Sequence, residues 1–135
     1  MYAAIEAGGT KFVCAVSDQQ LNIVGKTRIA TTNPQQTLRQ VFAFLDQYAI
    51  EAIGVGAFGP LDLDNQSSHY GYITTTPKAG WRDFNFLGVL KAHFGKLPII
   101  FTTDVNIAAV GEQRLGAGRG AQNVAYYTVG PGIGM

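Results

Sequence analysis

The sequence has few charged residues, a single cysteine, two histidines and no long apolar run. The lone cysteine, Cys14, excludes a disulfide framework within the chain and makes a reducing compartment, the cytoplasm, the default expectation. His69 and His93 lie far apart in sequence, which disfavours a metal site built from the chain's own His and Cys ligands. The apolar runs are much shorter than a membrane span, and no basic and then apolar leader opens the chain. We therefore expect no membrane association.

Charge is sparse and nearly balanced. Charged residues make up 14% of the 135 residues, hydrophobic residues make up 47%, and the formal net charge is +1. Without a run of lysine or arginine, the sequence lacks the electrostatic footprint of a nucleic-acid-binding protein. So low a charge is unusual for an independent soluble domain and indicates that some surface is covered. The length suits one domain with a core of its own.

Alternating apolar runs and turn residues predict an α/β domain. Strands are predicted at residues 1–7, 11–17, 22–31, 52–58, 98–103 and 124–129. Asn33 is predicted to cap the first helix, with Pro34 at its first position and Gln36 completing a capping box. The buried stripe of this helix is predicted to comprise Leu38, Val41, Phe42, Leu45 and Ala49. Asp83 is predicted to cap a second helix that ends at Gly95, and Asp104 to cap a third.

The turn between the first two strands carries chemistry beyond that of a hairpin. Gly8 and Gly9 leave backbone N–H groups bare, Thr10 adds a hydroxyl, Lys11 adds a cation and Glu6 adds a carboxylate. A phosphate and its Mg²⁺ would need this set of groups. The alternative is a tight hairpin with a solvated lysine, because short glycine motifs have many chance matches.

Two later segments could bind a small molecule. Gly59-Pro60 ends the strand at 52–58, where open α/β sheets gather ligands, although a simple turn explains it equally well. Residues 65–83 form a long connection whose aromatic and hydroxyl side chains suit a sugar. The alternative is a surface hairpin with its aromatics folded inward. The side chains concerned are Tyr70, Tyr72, Trp81 and Thr74–Thr76.

The last third of the chain adds a carboxylate and a second glycine turn. Asp104 follows the strand at 98–103, so it is either a helix cap or a general base aimed at a ligand on the sheet rim. The segment at 130–134, Gly-Pro-Gly-Ile-Gly, follows the strand at 124–129. Because such a turn should return into another strand, we expect the chain to be a fragment of a longer protein.

These segments, in this order, resemble the ribonuclease-H-like half of the actin, Hsp70 and sugar-kinase superfamily. More narrowly, the chain resembles the N-terminal part of a ROK-family sugar kinase of the fructokinase branch, over all 135 residues but only about half of a family member. The matching segments are 6–16, 74–81, 103–112 and 116–120. The resemblance implies one ribonuclease-H-like α/β domain at 1–135, a mixed sheet flanked by helices, without the family's C-terminal lobe.

The resemblance also implies transfer of the γ-phosphoryl group of ATP to a sugar hydroxyl, with fructose as the expected sugar. Asp104 would be the base, and Glu6 would act on Mg²⁺ through water. The phosphate loops would comprise Gly8, Gly9, Thr10, Lys11, Gly130, Pro131, Gly132 and Gly134. The sugar site would comprise Asn106, Gly59, Thr76, Lys78 and Trp81. A homodimer is implied for the full-length protein, and a structural Zn²⁺ only in the C-terminal half.

The chain departs from the family pattern in ways that leave other functions open. Pro131 stands where the family has Thr, which removes an N–H and a hydroxyl from a phosphate loop. Met135 replaces a Gly, and Glu6 replaces the usual Asp. Without the C-terminal lobe, we expect no kinase activity from the fragment alone. A non-catalytic sugar-binding domain is one alternative; a sugar-responsive transcription regulator is another, disfavoured by the strand at residue 2 and by the retained Asp104.

Overall fold

The computed structural model describes residues 1–130 and 133–135. Its centre is a five-stranded mixed sheet in the order β3-β2-β1-β4-β7, with separate two-stranded pairs β5-β6 and β8-β9. The elements are β1 (Tyr2–Ala7), β2 (Lys11–Ser17), β3 (Ile23–Ala30), α1 (Pro34–Leu45), β4 (Ala52–Ala57), β5 (Tyr72–Ile73), β6 (Phe84–Asn85), α2 (Phe86–Phe94), β7 (Ile99–Thr103), α3 (Asp104–Leu115), β8 (Thr128–Val129) and β9 (Ile133–Gly134). The predicted mixed sheet flanked by helices is confirmed.

Strand direction decides where the loops meet. β1 pairs in parallel with β4, and β4 pairs in parallel with β7, whereas β1-β2 and β2-β3 are antiparallel. Ala7 lies opposite Ala57, which lies opposite Thr103, so three strands end at one edge of the sheet. The predicted glycine turn, Gly59 and Asp104 each follow one of these strand ends. The register therefore collects the three segments at one edge.

One face of the sheet forms the core with α1 and α2. Alternate residues of the strands are buried on this face, as expected for a half-buried sheet. Core side chains from the strands include Ile5, Phe12, Val16, Val55 and Phe101, and those from the helices include Leu38, Val41, Leu45, Phe86 and Leu90. Within the described residues, none of the helices is both long and apolar enough to cross a bilayer.

The first helix begins as predicted but ends earlier. The Asn33 side chain accepts a hydrogen bond of 2.9 Å from the Gln36 N–H, and Pro34 is the first helical residue. The predicted capping box is only half formed, because the Gln36 side chain does not accept a hydrogen bond from the Asn33 N–H. Leu38, Val41 and Leu45 are buried, which confirms most of the apolar stripe. The prediction is wrong for Ala49, which lies beyond the helix and is exposed, because the chain turns after Leu45 toward β4.

Two predicted caps are wrong by one or two residues. Asn85, not Asp83, caps α2 by accepting a 2.9 Å hydrogen bond from the Gly88 N–H. Thr103, not Asp104, caps α3: its hydroxyl accepts from the N–H of the third helical residue at 3.2 Å. Asp104 is the first residue of α3 instead, so its carboxylate is not used as the cap.

The strand predicted at 124–129 is also wrong over most of its length. Only Thr128 and Val129 form a strand, which pairs with Ile133–Gly134 in a short hairpin. Residues 124–127 are without regular secondary structure, although apolar and aromatic residues predominate there. β-propensity depends on a partner strand, and the five-stranded sheet offers these residues none.

α3 packs over the opposite face of the sheet at a glycine. A Cβ built at Gly56 overlaps the Ile107 side chain and lies 3.2 Å from the Cα of Asp104. Two residues earlier on the same strand and face, a Cβ built at Gly54 has no atom within 4 Å. Gly56 therefore lets α3 approach β4 closely and fixes the height of Asp104 above the sheet edge.

We expect Gly56→Ala to destabilise the chain by about 1–3 kcal/mol, because the added methyl group must push Ile107 and the start of α3 away from β4. Urea unfolding followed by circular dichroism measures the change. Gly54→Ala is the matched control and should leave the unfolding midpoint nearly unchanged. Equal midpoints for the two variants would contradict this account of α3 packing.

We also expect the Cys14 thiol to be unreactive in the folded chain. It is fully buried, and burial raises its pKa to about 12. Ellman's reagent at pH 8 should leave the folded chain unmodified and react after unfolding, since the thiolate is the nucleophile. The unfolded thiol ionises near pH 9.0, whereas the folded thiol keeps its proton to about pH 12, so its contribution to stability falls as the pH rises through this window. Rapid modification of the native chain would contradict this burial.

Candidate active site

The first glycine turn is held by β3 as well as by its own strands. The Gly8 N–H donates to the Lys11 carbonyl at 2.9 Å, and a Cβ on Gly8 would lie 2.7 Å from that same oxygen. Thr31, just after β3, donates its hydroxyl to the Gly8 carbonyl at 2.7 Å and its N–H to the Thr10 carbonyl at 3.0 Å. A Cβ on Gly9 would meet no atom within 4 Å. The turn is thus closed at Gly8 and open to a ligand at Gly9.

Asp104 is partly buried at the N-terminus of α3. Its Oδ1 accepts a 2.9 Å hydrogen bond from the Val105 N–H. Partial positive charge at a helix N-terminus stabilises a carboxylate placed there. Asp104 and Glu6 line one small cavity of about 60 Å³ together with Tyr126 and Thr128. The register accounts for this neighbourhood, since Glu6 of β1 lies opposite Gly56 of β4, over which α3 packs.

Two larger clefts adjoin at Phe58 and Gly59. One has a volume of about 450 Å³ and is lined by Asp104, Thr128, Gly130 and Gly134 among others. The other, of about 510 Å³, is lined by Gly9, Thr10, Thr76, Pro77 and Lys78. The structure therefore brings together most of the residues predicted for the phosphate and sugar sites, on either side of Gly59.

The second glycine turn lies beside the start of α3. Thr128 pairs with Gly134 across the hairpin, and a Cβ on Gly134 would lie 3.1 Å from the Thr128 methyl group and 3.5 Å from Val105. Gly130 and Gly134 thus face the same cleft as Asp104. The other two residues predicted for this loop, Pro131 and Gly132, lie outside the described residues.

Trp81 requires a correction. The sequence predicts that its ring contacts a sugar, but the side chain is fully buried and packs against four phenylalanine rings at centroid distances of 5.3–5.8 Å. Its Nε1–H donates to the Thr32 carbonyl at 2.7 Å. The inward-folded alternative is the correct one for this residue. An indole buries a large apolar area and needs only one polar partner, which Thr32 supplies.

Asn106 is not brought to the cleft that contains Asp104. Its Nδ2 donates to the Thr102 hydroxyl at 2.9 Å. It lines a separate cavity of about 410 Å³ with Ala109, Gln113 and Val124. Asn106 is two positions after Asp104 on α3, and residues two apart on a helix do not share a face. Its predicted role in sugar binding stays a prediction.

The residues present could hold Mg²⁺ only with help from the substrate. Among the described residues, no group of three or more His, Cys, Asp or Glu side chains converges as a metal site. Glu6 and Asp104 do line one cavity. Mg²⁺ commonly keeps several waters and takes one or two carboxylates plus substrate phosphates, so this pair fits that ion when it arrives with a nucleotide.

Sequence reasoning missed Thr31 and Thr32. They follow β3 directly and precede the helix cap Asn33, so the sequence indicates only a polar connection between two elements. Their hydrogen bonds to Gly8, Thr10 and Trp81 join residues 21 to 49 positions apart, which no local pattern encodes.

Comparison with known proteins agrees with this geometry. The chain is 48% identical over 133 residues to a fructokinase of Lactococcus lactis subsp. cremoris, a match that covers 98% of this chain and 44% of that protein. It is 46% identical over 134 residues to a putative fructokinase of Bacillus subtilis (strain 168), covering 99% of this chain and 44% of that protein. The chain thus spans less than half the length of these relatives.

The fold is shared with a solved ROK structure. A ROK family glucokinase from Streptomyces griseus, in complex with glucose and AMPPNP, superposes with a TM-score of 0.80 at 29% identity, over 98% of this chain and 42% of that one. This confirms the predicted sugar-kinase fold. The ROK family pattern itself matches residues 2–135. The chain therefore belongs to the ROK family.

Proposed function

We propose that the whole protein transfers the γ-phosphoryl group of ATP to a hexose hydroxyl, converting fructose to fructose 6-phosphate, and that this chain supplies the base and both phosphate turns. The observation that carries the proposal is the meeting of Asp104, Gly59 and two glycine turns at one sheet edge. Sugar and ATP are then the partners, and we propose a homodimer in the cytoplasm for the full-length protein.

Asp104 is suited to accept the proton of a sugar hydroxyl. Its Oδ1 is used by the Val105 N–H, and Oδ2 has no hydrogen-bond partner among the described residues. A carboxylate oxygen is the group that accepts the proton in general base catalysis, and Oδ2 is the oxygen available for this role. In phosphoryl transfer a base of this kind orients the attacking hydroxyl, while positioning and charge neutralisation supply most of the catalysis.

The glycine turns are suited to hold phosphate oxygens. Gly9 is open to solvent on its Cβ side, and Thr10 and Lys11 are exposed next to it. Phosphate oxygens accept hydrogen bonds from backbone N–H groups, from a hydroxyl and from the ammonium group of a lysine. Mg²⁺, when bound with ATP, neutralises charge on the transferred group. Glu6 and Asp104 are the side chains that would hold it, directly or through water.

The sugar would lie beside Gly59, between the two clefts. Thr76 and Lys78 line one side with donor and acceptor groups, and Asp104 lines the other. Lys78 is partly buried and lines this cleft, and its ammonium group can donate hydrogen bonds to sugar hydroxyls. The choice of fructose rests on the relatives named fructokinase at 46–48% identity.

A regulator is the second candidate function, and the cleft weighs against it. A sugar-responsive regulator needs the sugar site but not a base. Here the Asp104 carboxylate shares its cleft with a glycine turn that suits phosphate.

We expect Asp104→Asn to lower kcat about 10²–10⁴-fold while sugar binding is retained, because the amide keeps the shape of the carboxylate but cannot accept the proton. The test enzyme is a hybrid in which this chain replaces the matching 44% of the Lactococcus lactis fructokinase. A coupled ADP-release assay across fructose, mannose and glucose measures turnover, and calorimetry measures sugar binding.

The matched control for this substitution is Asp64→Asn, which alters an exposed carboxylate in the loop after β4. It should leave kcat unchanged. Full activity of the Asp104→Asn hybrid would show that another group is the base. Turnover of glucose or mannose in preference to fructose would overturn the substrate proposal and leave the kinase proposal standing.

We further expect the 135-residue chain alone to release no ADP from ATP in the presence of fructose. The relatives named fructokinase are more than twice as long, and exposed groups on a half-open cleft cannot exclude water from the reacting phosphate. The coupled assay with the isolated chain checks this. Measurable fructose phosphorylation by the chain would contradict it.

A further inference from the structure

We propose that Thr31 and Trp81, acting through Thr32, are positioning residues that fix the two walls of the 510 Å³ cleft relative to each other. We call these three residues the Thr31–Trp81 link. One wall is the glycine turn with Gly9 and Thr10, and the other is the loop that carries Thr76 and Lys78. The inference rests on the proposed function in one respect: it assigns the cleft to phosphate and sugar.

Thr31 fixes the direction of a peptide group in the glycine turn. Its hydroxyl donates to the Gly8 carbonyl at 2.7 Å, and its N–H donates to the Thr10 carbonyl at 3.0 Å. A trans peptide points its C=O and its N–H to opposite sides. Because the Gly8 carbonyl is held toward Thr31, the N–H of Gly9 must point away from Thr31. One buried hydroxyl thereby sets the orientation of an amide that phosphate could use.

Trp81 fixes the opposite wall. The indole is wedged among aromatic rings of the core, so it offers little freedom of movement. The Trp81 N–H donates to the Lys78 carbonyl at 3.1 Å, and the Lys78 N–H donates to the Thr76 hydroxyl at 3.3 Å. These bonds close the loop into a compact turn that ends on the indole. The position of Lys78 is therefore set by that of Trp81.

Thr32 joins the two walls. Its carbonyl accepts the 2.7 Å hydrogen bond from the Trp81 indole, and it directly follows Thr31 in the chain. Its N–H donates to the fully buried Thr37 hydroxyl at 3.0 Å, which ties the link to α1. Both peptide groups of Thr32 are thus restrained, so a change at one wall is transmitted through two covalently joined residues to the other.

A packing role alone would not require this arrangement. Each wall has hydrogen bonds of its own, in the Gly8–Lys11 bond and in the Thr76–Lys78–Trp81 turn. Two further sets of hydrogen bonds join the walls to the segment Thr31–Thr32. Thr31 bonds to the glycine turn, and the Trp81 indole of the opposite wall bonds to Thr32. The Trp81 ring also packs on Phe12, two residues after Thr10, at a centroid distance of 5.5 Å, so a change of that ring can reach the glycine turn by packing alone. The outcome that separates a link from packing is therefore an effect of the Thr31 hydroxyl on the Trp81 indole N–H that Thr31→Val produces and Thr31→Ser reverses.

The test uses nuclear magnetic resonance and hydrogen exchange on the 135-residue chain without ligand. Thr31→Val removes the hydroxyl at nearly constant volume, and Thr31→Ser keeps it. We expect Thr31→Val to shift the Lys78 amide and the Trp81 indole N–H signals and to speed exchange of that indole proton about fivefold, the effect of losing one ordinary hydrogen bond. Thr31→Ser should restore wild-type values.

Trp81→Phe tests the link from the other wall. It keeps an aromatic ring but removes the donor to Thr32, and we expect it to shift the Gly9 and Thr10 amides and to speed exchange of the Thr31 N–H. Thr74→Val is the matched control, because it removes a similar hydroxyl-to-carbonyl hydrogen bond, 3.1 Å to Pro60, outside the link. If Trp81→Phe does not fold, the two Thr31 variants decide the matter.

Changes confined to the wall that carries the substitution, or cross-wall changes no larger than those of Thr74→Val, overturn the link. A separate titration of the wild-type chain with AMPPNP and Mg²⁺ reports on the proposed function. Absence of shifts at Gly8–Lys11 in that titration would count against the phosphate turn, whereas the ligand-free result for the link would stand on its own.

Discussion

The parallel register of β1, β4 and β7 is the constraint on which the site depends. Parallel strands end at the same edge of a sheet, and here Ala7, Ala57 and Thr103 lie side by side at that edge. Each is followed by a segment with ligand-binding chemistry: a glycine turn, Gly59, and Asp104 on a helix N-terminus. Ligands of open α/β sheets gather at such strand ends because loops converge there while the strands hold them rigidly.

Close packing at Gly56 sets the position of the Asp104 carboxylate at this edge of the sheet. α3 can descend onto β4 only where no side chain intervenes, and Ile107 occupies the space that a Cβ on Gly56 would take. The same contact places Asp104 beside Glu6 in one small cavity. In the proposed reaction, Mg²⁺ arriving with a nucleotide is the cation that these two carboxylates would hold, directly or through water.

Local patterns in the sequence were enough for β1 to β4 and for the start of α1, but not for the contacts between elements. The alternation in β1 and β2, the cap at Asn33 and the glycine turn follow from neighbouring residues, and the structure agrees with them. The caps of α2 and α3 and the strand at 124–127 were wrong, since near-equivalent polar residues compete for a cap and a strand needs a partner. Trp81 was misplaced because an aromatic in a long loop has the same sequence signal whether it lines a pocket or fills the core.

The correction at Trp81 changes what a sugar site on this domain requires. If the indole lined the cleft, sugar affinity would depend on ring stacking, and the loop around it could move with the ligand. The indole is buried instead, so the loop is anchored to the core and lines the cleft with Thr76, Pro77 and Lys78. In the proposed sugar site, polar recognition on this side would come from the Thr76 hydroxyl and the Lys78 ammonium. Such groups discriminate between sugars by the placement of hydroxyls, since an unmatched polar group buried by the ligand costs about 1–3 kcal/mol.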